Sequence, residues 1–380
     1  DPQLRFHPQS GSPKIGIGCS SSAAVGRFRS MSTTHRPESP LDQPGVLIAA
    51  LPAILGFVPE KSLVLVTAVQ GEMGAVLRAD LCAEESGDSL SHLAELAAAS
   101  RAEIAIAVIV DDEGAACQMC ADEYRDLARE LAVELARSDV ELCAAHVVDK
   151  VAAGGRWYCA DGCGNSGAVA DPAASPIAAA AVLDGRRLYA RRSELVAVVA
   201  PVDLERSAAL ARAIGQAGAI DLHRPDEHAR RDIEHALVCA EQIGGGHPLA
   251  DGQLVRLALA LTDPRVRDTL YALAVGDHAG QAESLWADLA RRLPEPWRVE
   301  ALVLLAFSAY TRGDGPLAGI ALNAARRGAP MHRMAGLLDS ALQWGMRPEQ
   351  IRELACTGYR LAEQLGVRLP PNAWFGRRAG

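Results

Sequence analysis

The spacing of apolar residues changes character near residue 203 of this 380-residue chain. Upstream, short apolar runs dominate: 62–69, 103–110 and 140–148 are dense in Val, Ile, Leu and Ala, the pattern of buried strands. Residues 70–74 supply a turn and 75–81 a second strand, so the stretch reads as a hairpin. Helical spacing separates these runs, at Leu90, Leu93, Leu96 and Ala97 and again at Tyr124, Leu127, Leu131 and Leu135. A shorter helix over 45–55 starts beside Asp42 and Pro44 and stops at Gly56. Arg156–Cys159 is one more strand, and 193–199 is expected to close the sheet. The alternation predicts an α/β sandwich, a mixed sheet covered by helices.

Beyond 203 the strand patterns vanish, and nine helical patterns follow as far as residue 365, punctuated by Gly, Pro and Asp. An all-α domain is predicted. Within it Gly276, Asp277, Ala282, Trp286, Leu289 and Pro294 recur as Gly313, Asp314, Ala318, Leu322, Ala325 and Pro330. Small and large residues four apart, after a Gly-Asp turn, look like the spacing of a tetratricopeptide repeat, built from helical hairpins. The expected organisation is a disordered leader over 1–43 with natural translation starting at Met31, an α/β domain over 44–202, a helical-repeat-like domain over 203–368, and a flexible tail over 369–380.

Composition narrows the function classes. With 49% hydrophobic and 22% charged residues the chain is that of an ordinary globular protein. A net charge of -9 argues against a broad electrostatic grip on nucleic acid or on an anionic membrane. The aromatic fraction of 4%, with no interleaved basic stripe, disfavours single-stranded nucleic acid. No apolar run approaches the ~18 residues of a membrane span. Nine cysteines, an odd number in a long chain, suit free thiols in a reducing, cytoplasmic setting.

Candidate chemistry clusters after the strands. Asp111, Asp112 and Asp149 follow buried strands and share one sheet edge if those strands are parallel; Asp80, ending the hairpin, faces that edge or the opposite one. Such carboxylates suit magnesium or general acid–base work, and equally suit ordinary turns. Cys117 and Cys120 sit where a strand leads into a helix, the placement of a redox dithiol, but the acids around them are expected to raise their pKa values. Cys159 and Cys163 have a spacing that suits half of a tetrahedral zinc site, with Cys117 and Cys120 or His146 as distant partners, though a lone Cys-x3-Cys is a weak signal and equally suits free loop thiols. Serine nucleophile elbows, phosphate-cradling loops and dinucleotide fingerprints are absent.

The segment 51–66 (Leu-Pro-Ala-Ile-Leu-Gly-Phe-Val-Pro-Glu-Lys-Ser-Leu-Val-Leu-Val), with Arg78 and Asp80, Arg156 and Trp157, Cys159 and Cys163, and 312–318 (Arg-Gly-Asp-Gly-Pro-Leu-Ala), resembles the actinobacterial family known as domain of unknown function 4192. The resemblance implies a lineage and a cytoplasmic setting, and no reaction. One departure is that the family tends to carry further adjacent Cys and Pro residues, where this chain has Gly164, Asn165 and Ser166 after Cys163. No complete catalytic constellation assembles from the residues. The expectation is therefore a non-catalytic interaction or scaffold protein whose helical domain docks a protein partner, with Trp286, Trp297, Tyr310 and Trp344 as anchors. The alternative is an α/β enzyme or ligand-binding protein using the strand-end carboxylates.

Overall fold

The computed structural model describes residues 43–81, 86–183 and 186–371. The leader and its start at Met31, and the tail beyond 371, lie outside the described residues. Six strands, β1 (Ser62–Val69), β2 (Glu72–Asp80), β3 (Ile104–Val110), β4 (Glu141–Val148), β5 (Arg156–Cys159) and β6 (Ser166–Ala168), form one sheet in the order β2-β1-β3-β4-β5-β6. β3 and β4 are parallel and the other neighbours antiparallel, so the sheet is mixed, as the alternating pattern predicts.

Three helices flank this sheet closely: α1 (Pro44–Leu55), α2 (Ser86–Ala99) and α3 (Gln118–Arg137). Strand alternation sorts the core into two faces. Leu63, Leu65, Ala107, Ile109 and Val147 pack with Leu90 and Leu93 of α2 and Leu131 and Leu135 of α3. Val64, Val66, Val108 and Val148 point the other way, onto Leu47, Ile48 and Leu51 of α1. Both faces of β1 are therefore covered, which is why it reads as an unbroken apolar run. Each Val or Leu so buried contributes about 1.5–3 kcal/mol. α1 is buried on nearly every side because helices cover its far face too. Gly56, at φ 75°, ends α1 in the left-handed conformation and returns its N–H to the Pro52 carbonyl.

Two short helices complete this part, α4 (Pro176–Leu183) and α5 (Arg192–Ala197). The expected strand over 193–199 is α5. Leu195 and Val199, four apart, bury together, and Glu194 accepts the Ala190 N–H in the first turn. Helical spacing outweighs the β preference of the three valines. β6 closes the sheet instead, and its Ser-Gly-Ala sequence has no strand pattern to read.

The remaining helices are α6 (Leu204–Ala217), α7 (Asp226–Gly244), α8 (Asp251–Ala260), α9 (Pro264–Leu270), α10 (Ala279–Arg292), α11 (Arg298–Arg312), α12 (Gly315–Gly328), α13 (Arg333–Gln343) and α14 (Pro348–Gln364). α10 packs on α11 and α11 on α12. The repeated positions are core: Ala282, Trp286 and Leu289 in α10, and Ala318, Leu322 and Ala325 in α12, are each at most 1% exposed. Glycines with φ of 99° and 88°, Gly276 and Gly313, make the two turns, and Asp314 caps α12 by accepting the Leu317 N–H.

An ion network ties α7, α8 and α9 together. Arg224 bridges Asp232 at 2.7 Å and Asp263 at 2.9 Å; Arg265 joins Asp263 and Asp226, and Arg256 joins Asp232. Asp263, 1% exposed, also caps α9 through the Arg265 N–H. One apolar cluster runs without a break from the sheet, through α1, into the helices. Arg298 adds a polar tie by donating to the Val199 carbonyl at 2.6 Å. Among the described residues no helix is long and apolar enough to cross a membrane.

Candidate functional site

β2 and β3 are both antiparallel to β1, and β4 is parallel to β3, so β2, β3 and β4 end at one edge of the sheet. Ser62, the first residue of β1, stands opposite Asp80 on one side and Val110 on the other. Asp80, Asp111, Asp112 and Asp149 therefore share the edge that the strand order of the sequence suggested. Asp80 and Asp111 remain two strands apart, about 9–10 Å at the usual strand spacing. Lys61, just before β1, enters the gap.

The side chains at this edge hold the edge together. Asp111 accepts from Lys61 Nζ at 2.5 Å, from the Tyr124 hydroxyl at 2.6 Å and from the amides of Glu113 and Gly114 at 3.1 Å. Burial works to raise its pKa, but the bonds from Lys61, Tyr124 and the two amides outweigh it and draw the carboxyl down to about 2. Burial and the same carboxylate push the Tyr124 phenol up. Hydrogen bonds to Asp111 and then Glu113 raise Lys61, which also lies 3.7 Å from Asp112. Asp149 accepts the amides of Lys150 at 2.6 Å and Arg156 at 2.8 Å, fixing the turn from β4 to β5. Asp80 pairs with Arg78. Two clefts of about 280 and 50 Å³ stand out, and none of these four carboxylates lines either.

The remaining residues of the recognisable segments interlock around this edge. Ser62, fully buried, donates to the Glu60 carbonyl at 2.6 Å and accepts from Arg78 Nε at 2.9 Å. The Arg78 guanidinium lies 5.9 Å from the centroid of the Phe57 ring. A Cβ added at Gly56 would sit 3.5 Å from Pro316, so 51–66 and 312–318 touch across 260 positions of sequence.

That convergence accompanies a sequence match: the model of the family described as domain of unknown function (DUF4192) covers residues 44–349, well over half of the chain. The chain belongs to the DUF4192 family. The searches of curated proteins and of solved structures returned no match. Within this DUF4192 chain the family-like segments thus have a plain physical role, the joining of the β1 edge to Arg78 and of α1 to α12.

Cys117 and Cys120 lie at the start of α3. The Cys120 amide, then its thiol, then the Met119 amide stabilise a Cys117 thiolate and lower its pKa, although the Glu123 carboxylate opposes them. The acids were expected to raise both thiols; nearby N–H donors reverse the direction at Cys117. Cys120 is raised, first by its hydrogen bond to Cys117.

Cys159 and Cys163 have different neighbours. β4 and β5 are antiparallel in a register that places His146 directly opposite Cys159, with Cys159 Sγ 3.6 Å from His146 Nδ1. Gly162 and Gly164, at φ 78° and 83°, curl the following loop so that Asp161 accepts the Cys163 N–H at 2.9 Å. The ligand atoms of Cys159, Asp161 and Cys163 all lie within 4.8 Å of one another, a group that contains neither Cys117 nor Cys120. His146 is 4% exposed; burial lowers its pKa to about 4, with Asp161 acting in the opposite sense. Of the two partners that the sequence offered for Cys159 and Cys163, His146 is the neighbour of Cys159, Cys117 and Cys120 are not in the group, and Asp161 joins it. The signal for Asp161 was its position midway between the two cysteines.

Of the four aromatic anchors, Trp286 is fully buried and Tyr310 is 3% exposed with its hydroxyl on the Met346 carbonyl. Both are core residues, because their helices are covered on the faces they occupy. Trp297 is half-buried against the same core. Trp344 is 64% exposed.

Proposed function

We propose that this chain is a non-catalytic interaction module, working in the cytoplasm, which docks a protein partner on its last helical hairpin. The observation that carries this reading is Trp344, the C-cap of α13, whose large apolar ring is left mostly in water. Leu337, 58% exposed, lies seven residues earlier and so on the same helix face. Met346 extends the apolar surface toward α14. Tryptophan at the centre of an apolar patch is the residue type that most often dominates an interface. The engagement of Asp111 and Asp149 in local hydrogen bonds supports the same reading, since it removes those carboxylates from the set available to a substrate. The helical-hairpin packing of α10 to α12, tetratricopeptide-like in its spacing, supplies a rigid frame for the surface.

The test begins with the tagged chain, captured from a native-type host and analysed by mass spectrometry, and continues with the purified partner. Trp344→Ala is expected to weaken that binary complex about tenfold or more, some 1.4 kcal/mol, while leaving the circular dichroism unchanged. Binding that is indifferent to both Trp344→Ala and Leu337→Ser would remove this surface from the reading.

A further inference from the structure

We propose that His146, Cys159, Asp161 and Cys163 form a closed, tetrahedral site for one zinc ion. Zinc held at about 2.3 Å by sulfur and 2.0–2.1 Å by imidazole nitrogen, with tetrahedral angles, sets those two donors about 3.6 Å apart and two sulfurs about 3.8 Å apart. Cys159 Sγ and His146 Nδ1 are 3.6 Å apart, and the donor atoms of Cys159, Asp161 and Cys163 lie within 4.8 Å of one another. His146 is tied to the group through Cys159 and stands outside the mutual 4.8 Å set, so binding requires side-chain rotation and loop adjustment to bring Asp161 and Cys163 toward its ring.

The backbone is already shaped for it. The β4–β5 register fixes His146 and Cys159 on adjacent strands, and two left-handed glycines fold Asp161 and Cys163 back toward them. His146, buried by its surroundings, directs Nδ1 at the Cys159 thiol. Thiolate and imidazole donors select zinc over magnesium or calcium, which take oxygen ligands. Four protein ligands leave no open position, so the ion would brace the loop between β5 and β6. Strands of four and three residues have little pairing of their own, and a metal at their junction would compensate. Binding displaces the two thiol protons to solvent as the Zn–S bonds form.

The experiment uses the full chain, reduced, with zinc measured by mass spectrometry after competition with a chelator of known affinity, and with cobalt(II) as a spectroscopic substitute. The expected result is one metal per chain, release of protons on zinc addition, and the intense thiolate–cobalt absorption of a tetrahedral site. The double variant Cys159→Ser/Cys163→Ser should lose all three signals, whereas Cys117→Ser/Cys120→Ser should keep them. If the first double variant does not fold, Asp161→Asn decides: at an exposed loop position it should preserve the fold and weaken zinc about tenfold or more. A reduced chain that takes up no zinc under competition would overturn the proposal. So would zinc that is retained undiminished without Cys159 and Cys163, or that is lost with Cys117 and Cys120.

Discussion

Two charge clusters in this molecule use the same chemistry at different depths. At the sheet edge Lys61, 44% exposed, gathers Asp111, Asp112 and Glu113. Among α7, α8 and α9, Arg224 and Arg265 converge on Asp263, whose side chain is 1% exposed. In both places the acids gather round a cation, within hydrogen-bond reach for Asp111, Glu113 and Asp263 and at 3.7 Å for Asp112. The difference lies in what remains when a partner is lost: water at the edge, and the other carboxylates of the network, Asp232 and Asp226, among the helices. The group around Cys159 stands apart, since its thiols and the Asp161 carboxylate lie close together and the His146 imidazole abuts the Cys159 thiol.

Asp263→Ala should break the comparison most severely. It takes the shared carboxylate from Arg224 and Arg265, which keep Asp232 and Asp226, and removes the α9 cap, at an expected cost of about 2–5 kcal/mol in urea unfolding. Asp111→Asn should cost less, about 1–3 kcal/mol, because solvent reaches Lys61 when the pair is gone. The pH dependence sharpens the point. The folded Asp111 carboxyl, held at about 2, lies below its ordinary value near 3.8. Its contribution is therefore fully present above about pH 4 and is lost as pH falls from there toward 2. Unfolding measured at pH 5 and at pH 3 should show the wild-type chain losing stability, with a smaller loss in Asp111→Asn. Lys61→Met should change stability only slightly at moderate salt, as exposed pairs do, and less again at high salt. Trp344→Ala, at the far end of the series, should stay within about 0.5 kcal/mol of wild type by thermal unfolding.

Periodicity made most of the architecture legible. β3 is apolar throughout and β1 nearly so because both sheet faces are covered, the second half of β4 is buried likewise, and the helices after 203 keep their faces and their Gly or Pro stops. It failed where elements are short or uniform. α4, written Pro-Ile-Ala-Ala-Ala-Ala-Val-Leu, has no polar face to reveal a period, and β6 is three small residues long. The shared edge of Asp111 and Asp149 was readable on the premise of parallel strands, which β3 and β4 meet, whereas the side taken by Asp80 stayed open until the β1–β2 pairing placed it. Lys61 was not readable, since it meets Asp111 only through the β1–β3 register, 50 positions away. The same limit left the partner of Cys159 open between His146 and the Cys117–Cys120 pair: His146 reaches it by an antiparallel register that neither segment encodes alone. Burial of Trp286 and Tyr310 likewise depends on helices from elsewhere in the chain.

The apolar cluster that passes from Val64 through Leu51 to Leu195, Leu305 and Leu317 has a thermodynamic meaning. Chain severed after residue 202 would leave α1 with one wet side and the sheet with a half-open face. Gly56 would lose Pro316, and the Val199 carbonyl would lose the Arg298 guanidinium. The α/β and helical parts are thus joined as a cooperative unit, expected to melt in one transition, so that a destabilising change in either is felt by the other.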